Sequence, residues 1–271
     1  MSYSLAWKLA ATFWCGLLTA TYVSRPKLGP HPVAWPTMNT YAQVVPPTVS
    51  LTLFDEARER TVPVTLYFPA ANVSAAKSKK KKRKLALLNH GYGGQNTDYS
   101  FIAQILVAHG YFVASIQHEL PTDEPNANTG NLRETRRPNW ERGVQNMLFV
   151  RQQLQQRYPG LDEQHLLLVG HSNGGDMAML FTHEHPQLVK KVISLDNRRM
   201  PLPRTRHPRI LSIRSSDQVA DEGVLPTAAE QKAFGIKIVK LPATIHNDVW
   251  DGATAAQKQE IGEAISNFLA R

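Results

Sequence analysis

Residues 166–175 of this 271-residue chain read Leu166-Leu167-Leu168-Val169-Gly170-His171-Ser172-Asn173-Gly174-Gly175, and this stretch decides the fold. Four apolar residues without a charge predict a buried strand, and the Gly-x-Ser-x-Gly pattern after them is typical of a nucleophile elbow. At such an elbow a strand turns sharply into a helix, and glycines are needed because side chains would collide with the turning backbone. The pattern predicts that the hydroxyl of Ser172 lies exposed at the end of the strand. An ordinary glycine-rich turn is the alternative.

The chain around this stretch alternates strands and helices. Apolar runs predict strands at 85–88, 111–116, 166–169, 189–195, 210–213 and 236–241, and helical patterns fall at 97–109, 140–158, 176–185, 227–234 and 254–269. Before them, residues 48–54 and 62–68 alternate apolar and polar side chains and predict an antiparallel pair, in which Pro63 indicates an edge position. The predicted class is therefore α/β, with a mostly parallel twisted sheet, an antiparallel N-terminal strand pair and helices on both faces.

Composition divides the chain into three segments. Residues 1–24 carry an apolar run from Leu9 to Ala20 behind one lysine, which predicts a signal peptide or an N-terminal anchor helix, with a packed helix as the alternative. Residues 25–47 contain six prolines and predict an extended linker. Residues 48–271 form the predicted folded domain. From the apolar segment we expect a secreted, periplasmic or membrane-associated protein, and otherwise a cytoplasmic one.

Positive charge is concentrated in one insertion of the domain. The chain carries a net charge of +9, and seven of its positive charges lie within residues 77–84, which leaves +2 for the remainder. Such a run is most often a solvated loop, and contact of Lys79, Lys84 and the basic residues between them with an anionic membrane surface is the partner that it suggests. Because no nucleic-acid-binding pattern accompanies the run, no nucleic acid partner is predicted. The oligomeric state is not predicted.

A serine hydroxyl needs a histidine to remove its proton and a carboxylate to orient that histidine. In chains with a nucleophile elbow the order is serine, acid, histidine, and His246 follows the last predicted strand in the expected place. Two aspartates end strands between Ser172 and His246. Asp217 is the preferred acid and Asp196 is the alternative. If Asp196 is the acid, we expect Asp217 to bind loop backbone or to hold Arg214.

Acyl transfer also needs two hydrogen-bond donors for the oxyanion of the tetrahedral intermediate. We expect one from the backbone amide of Asn173, which follows the serine. The other is expected from the amide of Tyr92, within the glycine-rich residues 90–94, and its ring is expected to form a wall of the substrate cleft. The spacing of residues 90–94 does not match a nucleotide-binding loop, and no metal-ligand spacing is present, so neither a cofactor nor a metal is predicted.

Together, residues 90–94, 170–175, 194–196 and 246–248 resemble the α/β-hydrolase superfamily, nearest to its branch of platelet-activating-factor acetylhydrolases, chlorophyllases and cutinase-like polyesterases. The resemblance runs from about residue 48 to the C-terminus. Acetylhydrolases and chlorophyllases place their acid at the position that corresponds to Asp196, whereas polyesterases place it at a position like Asp217. The resemblance therefore leaves the choice of acid open. The chain differs from secreted polyesterases because it lacks their disulfides, since Cys15 is its one cysteine. It differs from all three groups in its lysine-rich insertion.

These observations predict a serine esterase that cleaves a small-molecule or lipid-like carboxylic ester through an acyl-enzyme on Ser172. An amide- or peptide-bond hydrolase with the same three residues is one alternative, and a non-catalytic binding protein of the same fold is another. The cleft walls are expected from residues 120–139 and 197–207.

Overall fold

The computed structural model describes residues 47–68 and 82–270. Outside these ranges lie the predicted leader or anchor (1–24), all of the predicted linker except its last residue, and most of the basic insertion. Within the described residues, eight strands form one sheet in the order β1-β2-β4-β3-β5-β6-β7-β8. The strands are β1 (Thr48–Asp55), β2 (Arg60–Tyr67), β3 (Arg83–Asn89), β4 (Tyr111–Ile116), β5 (Leu161–His171), β6 (Val189–Leu195), β7 (Arg209–Arg214) and β8 (Lys237–Lys240).

Strands β3 to β8 are parallel to one another, whereas β2 is antiparallel to both β1 and β4. The predicted class is therefore confirmed. Residues 47–68 and 82–270 also form six α-helices, none of them long and apolar enough to cross a membrane. The helices are α1 (Ser100–Ala108), α2 (Leu132–Thr135), α3 (Arg137–Arg157), α4 (Ser172–Glu184), α5 (Ala228–Phe234) and α6 (Ala255–Leu269).

Helices cover both faces of the sheet because successive strand side chains point to opposite sides. On β5, Leu166 and Leu168 belong to the core that contains the buried side chains of α3 and α4. Leu167 and Val169 belong to the second core, which contains those of α1 and α6. Burial on both faces explains why β5 reads as a continuous apolar run rather than an alternating one.

The expectation that Pro63 marks an edge position is wrong. β1 is the edge strand, and β2 lies between β1 and β4. Pro63 is tolerated because the pairing of β2 with β4 starts one residue later, at Val64 opposite Ile116. The carbonyl oxygen of Pro63 still accepts a hydrogen bond from the backbone of Gln117 at 2.9 Å. The missing N–H therefore breaks no paired position between β2 and β4.

Candidate active site

The nucleophile elbow forms where β5 ends at His171 and α4 begins at Ser172. Ser172 has a φ of 50°, a conformation that non-glycine residues rarely adopt and that marks a functionally constrained turn. A methyl group on Gly170 would overlap the backbone of Gly174, and one on Gly174 would overlap the carbonyl oxygen of His90. Both glycines are thus required by the close approach of β5, α4 and the residue after β3.

Three side chains form a continuous hydrogen-bonded chain at the C-terminal edge of the sheet. The Nε2 atom of His246 lies 2.9 Å from Ser172 Oγ, and its Nδ1 atom lies 2.7 Å from Asp196 Oδ2. An ionised carboxylate only accepts hydrogen bonds, so Nδ1 carries the imidazole proton and donates it. Nε2 is then the acceptor for the serine hydroxyl, which is the arrangement that a general base requires.

Asp196 is buried at the end of β6 and is surrounded by donors. Its Oδ2 atom accepts from Ser215 Oγ at 2.5 Å, and its Oδ1 atom accepts from the backbone of Ser215 at 3.1 Å and lies 3.0 Å from the Arg214 guanidinium. Burial alone would raise the pKa of the Asp196 carboxyl, but the hydrogen bonds of His246 and Ser215 and the charge of Arg214 outweigh it. The pKa of Asp196 therefore lies below its ordinary value, and the carboxylate stays ionised.

Asp217, the acid preferred from the sequence, does not contact the imidazole ring in the structure, so that preference is corrected. Its Oδ1 atom accepts a hydrogen bond from the backbone N–H of His246 at 2.7 Å. The alternative, Asp196, contacts the ring because β6 is the direct neighbour of β5 whereas β7 is one strand further away. With Asp196 beside the ring, Asp217 binds loop backbone as expected, but Arg214 pairs with Asp196 and not with Asp217.

Two backbone amides beside the serine have no acceptor within the described part of the chain: those of Tyr92 and Asn173. The neighbouring amides of the loop after β3 are occupied, because Gly91 donates to Tyr99 Oη at 3.1 Å and Gly93 donates to Glu119 Oε2 at 2.8 Å. Asn173 lies in the first turn of α4, where helical N–H groups have no partner within the helix. These are the two amides predicted as oxyanion donors, and that role stays a prediction.

Ser172 and His246 line a surface cleft of about 300 Å³. The residues that line it are Gly91, Tyr92, Gly93, Gly94, Asp98, Tyr99, His171, Ser172, His246, Asn247 and Trp250. Tyr92 and Trp250 expose 48% and 43% of their surfaces, so the cleft has aromatic walls. The expectation that residues 120–139 and 197–207 build the walls is wrong, since none of them is among the lining residues. The former segment only supports Tyr92, whose hydroxyl oxygen accepts from the backbone of Asn126 at 3.0 Å.

Solved structures share this architecture. An esterase from Rhizomucor miehei superposes with a TM-score of 0.58 at 13% identity, covering 83% of this chain and 84% of its own. Esterase 2 from Thermogutta terrifontis superposes with a TM-score of 0.57 at 14% identity, covering 85% of this chain and 96% of its own. A ferulic acid esterase from Streptomyces cinnamoneus superposes with a TM-score of 0.55 at 19% identity, covering 88% of this chain and 90% of its own. The fold is that of the α/β-hydrolase superfamily.

A family model described as serine aminopeptidase, S33 matches residues 80–195, fewer than half of the chain. This span includes the elbow and ends one residue before Asp196. No curated protein sequence matches the chain. None of the three solved structures is described as an acetylhydrolase, a chlorophyllase or a polyesterase, so the branch inferred from the sequence stays a prediction.

Glu119 connects the loop after β3 to the start of α4 beside the serine, and it was not predicted from the sequence. One carboxylate oxygen accepts from the Gly93 amide at 2.8 Å, and the other accepts from Asn173 Nδ2 at 3.2 Å. Burial raises the pKa of the Glu119 carboxyl above its ordinary value, although the hydrogen bonds from Gly93 and Asn173 oppose the effect. Glu119 follows β4 without a recognisable spacing, so only the packing of β4 beside β3 reveals it.

A second hydrogen-bonded chain lies beneath the serine. His171 Nε2 lies 3.2 Å from the carbonyl oxygen of His246, to which it donates, and its Nδ1 therefore accepts from the Tyr99 hydroxyl at 2.8 Å. Tyr99 in turn accepts from the Gly91 amide. This chain joins the loop after β3, the elbow and the loop of His246. It requires a neutral His171, and burial together with the adjacent His246 lowers the pKa of His171 to about 3.

Three buried histidines should make the protein sensitive to mild acid. Burial lowers the pKa of His90, His118 and His171 below 6.5 in the folded protein. As the pH falls through 6.5, the unfolded chain takes up protons that the folded chain does not, so the free energy of unfolding decreases. For His171 alone the loss is on the order of 2 kcal/mol at pH 5.

We therefore expect the melting temperature to fall between about pH 7 and pH 5. His118→Gln should reduce that fall, because the replacement does not titrate. His183→Gln, which changes an exposed histidine on α4, should leave it unchanged. Thermal unfolding of the three proteins across this range is the measurement. Equal pH dependence in all three would contradict the assignment of the effect to buried histidines.

Proposed function

We propose that the protein is a serine esterase that hydrolyses carboxylic esters through an acyl-enzyme on Ser172. The observation that carries the proposal is the hydrogen-bonded chain of Ser172, His246 and Asp196. Its serine faces a cleft beside two backbone amides that have no acceptor among the described residues. The esterases among the similar solved structures add support at the level of the fold.

In the acylation step, His246 Nε2 takes the proton of Ser172 while Oγ attacks the ester carbonyl. Asp196 stabilises the imidazolium that forms, and it stays ionised because Ser215 donates two hydrogen bonds to its carboxylate and the charge of Arg214 lies beside it. The amides of Tyr92 and Asn173 donate to the oxyanion. Since backbone amides neither swing away nor lose a proton, this stabilisation is already in place when charge develops.

Collapse of the intermediate releases the alcohol, which receives the proton from His246. Water then occupies the place of the alcohol, and His246 removes its proton for attack on the acyl-serine. The second collapse releases the carboxylic acid and restores the serine hydroxyl. Each proton taken by His246 is returned within the same half-reaction, so the cycle needs no cofactor.

The cleft suits a small-molecule or lipid-like ester. Tyr92 and Trp250 offer apolar surface to an acyl or alcohol group, and the exposed position of both leaves the cleft open to solvent. Asp98 also lines the cleft and places a carboxylate within it. A carboxylate there favours a neutral or cationic group over an anionic one on the nearby part of the substrate.

Amide or peptide hydrolysis is the second candidate, favoured by the description of the matching family model as a serine aminopeptidase. Asp98 is a suitable partner for the amino group of such a substrate. The amine of an amide is a poorer leaving group than the alcohol of an ester. The same triad can cleave both bonds if the histidine protonates the amine as it leaves.

The test is the hydrolysis of matched pairs, in which one acyl group is linked to nitrophenol or to nitroaniline. We expect the ester to be cleaved and the anilide to be cleaved far more slowly, and an alanine anilide to gain nothing over an acetyl anilide. Preference for the alanine anilide would favour the aminopeptidase. Absence of hydrolysis of every pair, together with no labelling by a fluorophosphonate, would favour the non-catalytic binding protein.

We also propose a secreted, periplasmic or membrane-associated location, on the basis of the apolar run between residues 9 and 20. An anionic membrane surface remains the proposed partner of the basic insertion. Its last residues, Lys82, Arg83 and Lys84, lie at the start of β3, whereas the cleft lies beyond the opposite end of that strand. Contact through these three residues would leave the cleft open to the aqueous side.

A further inference from the structure

Arg214, the last residue of β7, is a buried cation in direct contact with Asp196. One terminal nitrogen lies 3.0 Å from Asp196 Oδ1, and the other donates to the carbonyl oxygen of Asn197 at 2.6 Å. The side chains of Arg214 and Asp196 expose 3% and 1% of their surfaces. Because water does not screen such a pair, its electrostatic effect is larger than that of a surface ion pair.

The two oxygens of Asp196 thus face two different positive partners. Oδ1 lies against Arg214, which is permanently charged, and Oδ2 receives the Nδ1 proton of His246, which is charged only during the reaction. Within the described residues, Arg214 is the one arginine or lysine within 4 Å of the Asp196 carboxylate. A carboxylate stabilises the cationic form of a neighbouring histidine. This stabilisation is weaker when a guanidinium already neutralises part of the charge of the carboxylate.

Other charged and titratable groups also face this pair. The ring of His171 lies beside that of His246 with centroids 4.8 Å apart and the planes tilted by 39°, and Asp217 accepts a hydrogen bond from the backbone of His246. Asp176 on α4 and Arg198 after β6 act on Arg214 through space. His171 stays neutral, and the remaining three do not touch the Asp196 carboxylate. Arg214 is therefore the group placed to change how strongly Asp196 supports His246.

We propose that Arg214 is a positioning residue that shares the negative charge of Asp196 with His246 and so keeps the nucleophile active at lower pH. The proposal rests on the proposed function. Two effects of removing the guanidinium act in the same direction. The imidazolium would gain the full charge of Asp196 and form at a higher pH, and the carboxylate would also protonate more readily. Protonation of His246 removes the general base, and protonation of Asp196 removes the charge that supports it, so activity would disappear at a higher pH.

The experiment measures the rate at which a fluorophosphonate labels Ser172 as a function of pH, which needs no knowledge of the natural ester. Arg214→Met and Arg214→Gln should move the acid limb of the labelling rate upward by about one pH unit. Arg214→Lys retains a cation and should keep the limb near that of the unchanged protein. Arg198→Gln removes a nearby charge that does not touch Asp196 and should leave the limb in place.

The melting temperature of each variant is measured alongside, and Arg214→Gln provides a polar replacement beside the apolar Arg214→Met. An upward shift in the Gln and Met variants but not in Lys supports the proposal. An unchanged or lower acid limb in a folded Gln variant overturns it. If the unchanged protein is not labelled at any pH, the proposed function fails instead, and the two failures are thereby distinguished.

Discussion

Replacement of Ser172 by alanine is expected to lower kcat for ester hydrolysis on the order of 10⁶-fold, because no other group can form the acyl-enzyme at this position. The Oγ atom of Ser172 is the one hydroxyl within hydrogen-bond distance of His246 Nε2 in the described part of the chain. The remaining amides and cleft would still bind ester, so the residual rate should exceed that in water. Initial rates on a nitrophenyl ester give the measurement.

Ser266→Ala is the matched control, since it removes a serine hydroxyl from α6, on a helix that contributes no residue to the cleft. We expect this variant to retain the full rate, and both variants to melt near the temperature of the unchanged protein. Turnover by Ser172→Ala within about tenfold of normal would contradict the assignment of the nucleophile.

Replacement of Asp196 by asparagine is expected to lower kcat by about 10⁴-fold. Asparagine has nearly the same shape, but its amide cannot stabilise the imidazolium and favours the wrong tautomer of His246. Asp217→Asn is the matched comparison, because both variants remove one carboxylate bonded to the same residue. Asp217 binds only the backbone of His246, so its loss should cost about tenfold at most.

Steady-state kinetics of the two variants separate these expectations. The ratio of their rates carries the information, because a general loss of stability would affect both. Equal losses in the two variants would show that Asp196 is not the acid that supports His246. A larger loss in Asp217→Asn would restore the assignment preferred from the sequence.

The elbow was predictable because its requirements are local. No larger residue fits at Gly170 or Gly174, because the turn brings β5, α4 and His90 into contact. The motif alone therefore predicts the turn. The predicted strands and helices were also recovered, with shifts of a few residues at their ends. The inner parallel strands were predictable because both of their faces are buried and their apolar runs are continuous.

The choice of acid was not predictable from spacing alone. Asp196 and Asp217 both follow strands in the correct chain order, and only the position of β6 next to β5 brings one of them to the imidazole ring. Glu119 and the contact of Arg214 with Asp196 were not predicted for the same reason. Their roles depend on contacts between segments far apart in sequence, to which neither periodicity nor a short motif responds.

The cleft walls were misplaced because long polar segments were expected to cover the site. Residues 120–139 contain α2 and the start of α3, and they support Tyr92 from behind rather than lining the cleft. The aromatic surface comes instead from Tyr92 and Trp250, which lie on short loops close to Gly91 and His246 in sequence.

The most direct test of the central claim, that Ser172 is the nucleophile activated by His246, is to map the covalent adduct left by a fluorophosphonate. The protein is labelled, digested and analysed by mass spectrometry, beside His246→Gln treated in the same way. We predict a single adduct on the peptide that contains Ser172, and a labelling rate strongly reduced in His246→Gln. An adduct on another residue, or equal labelling of both proteins, would contradict the account.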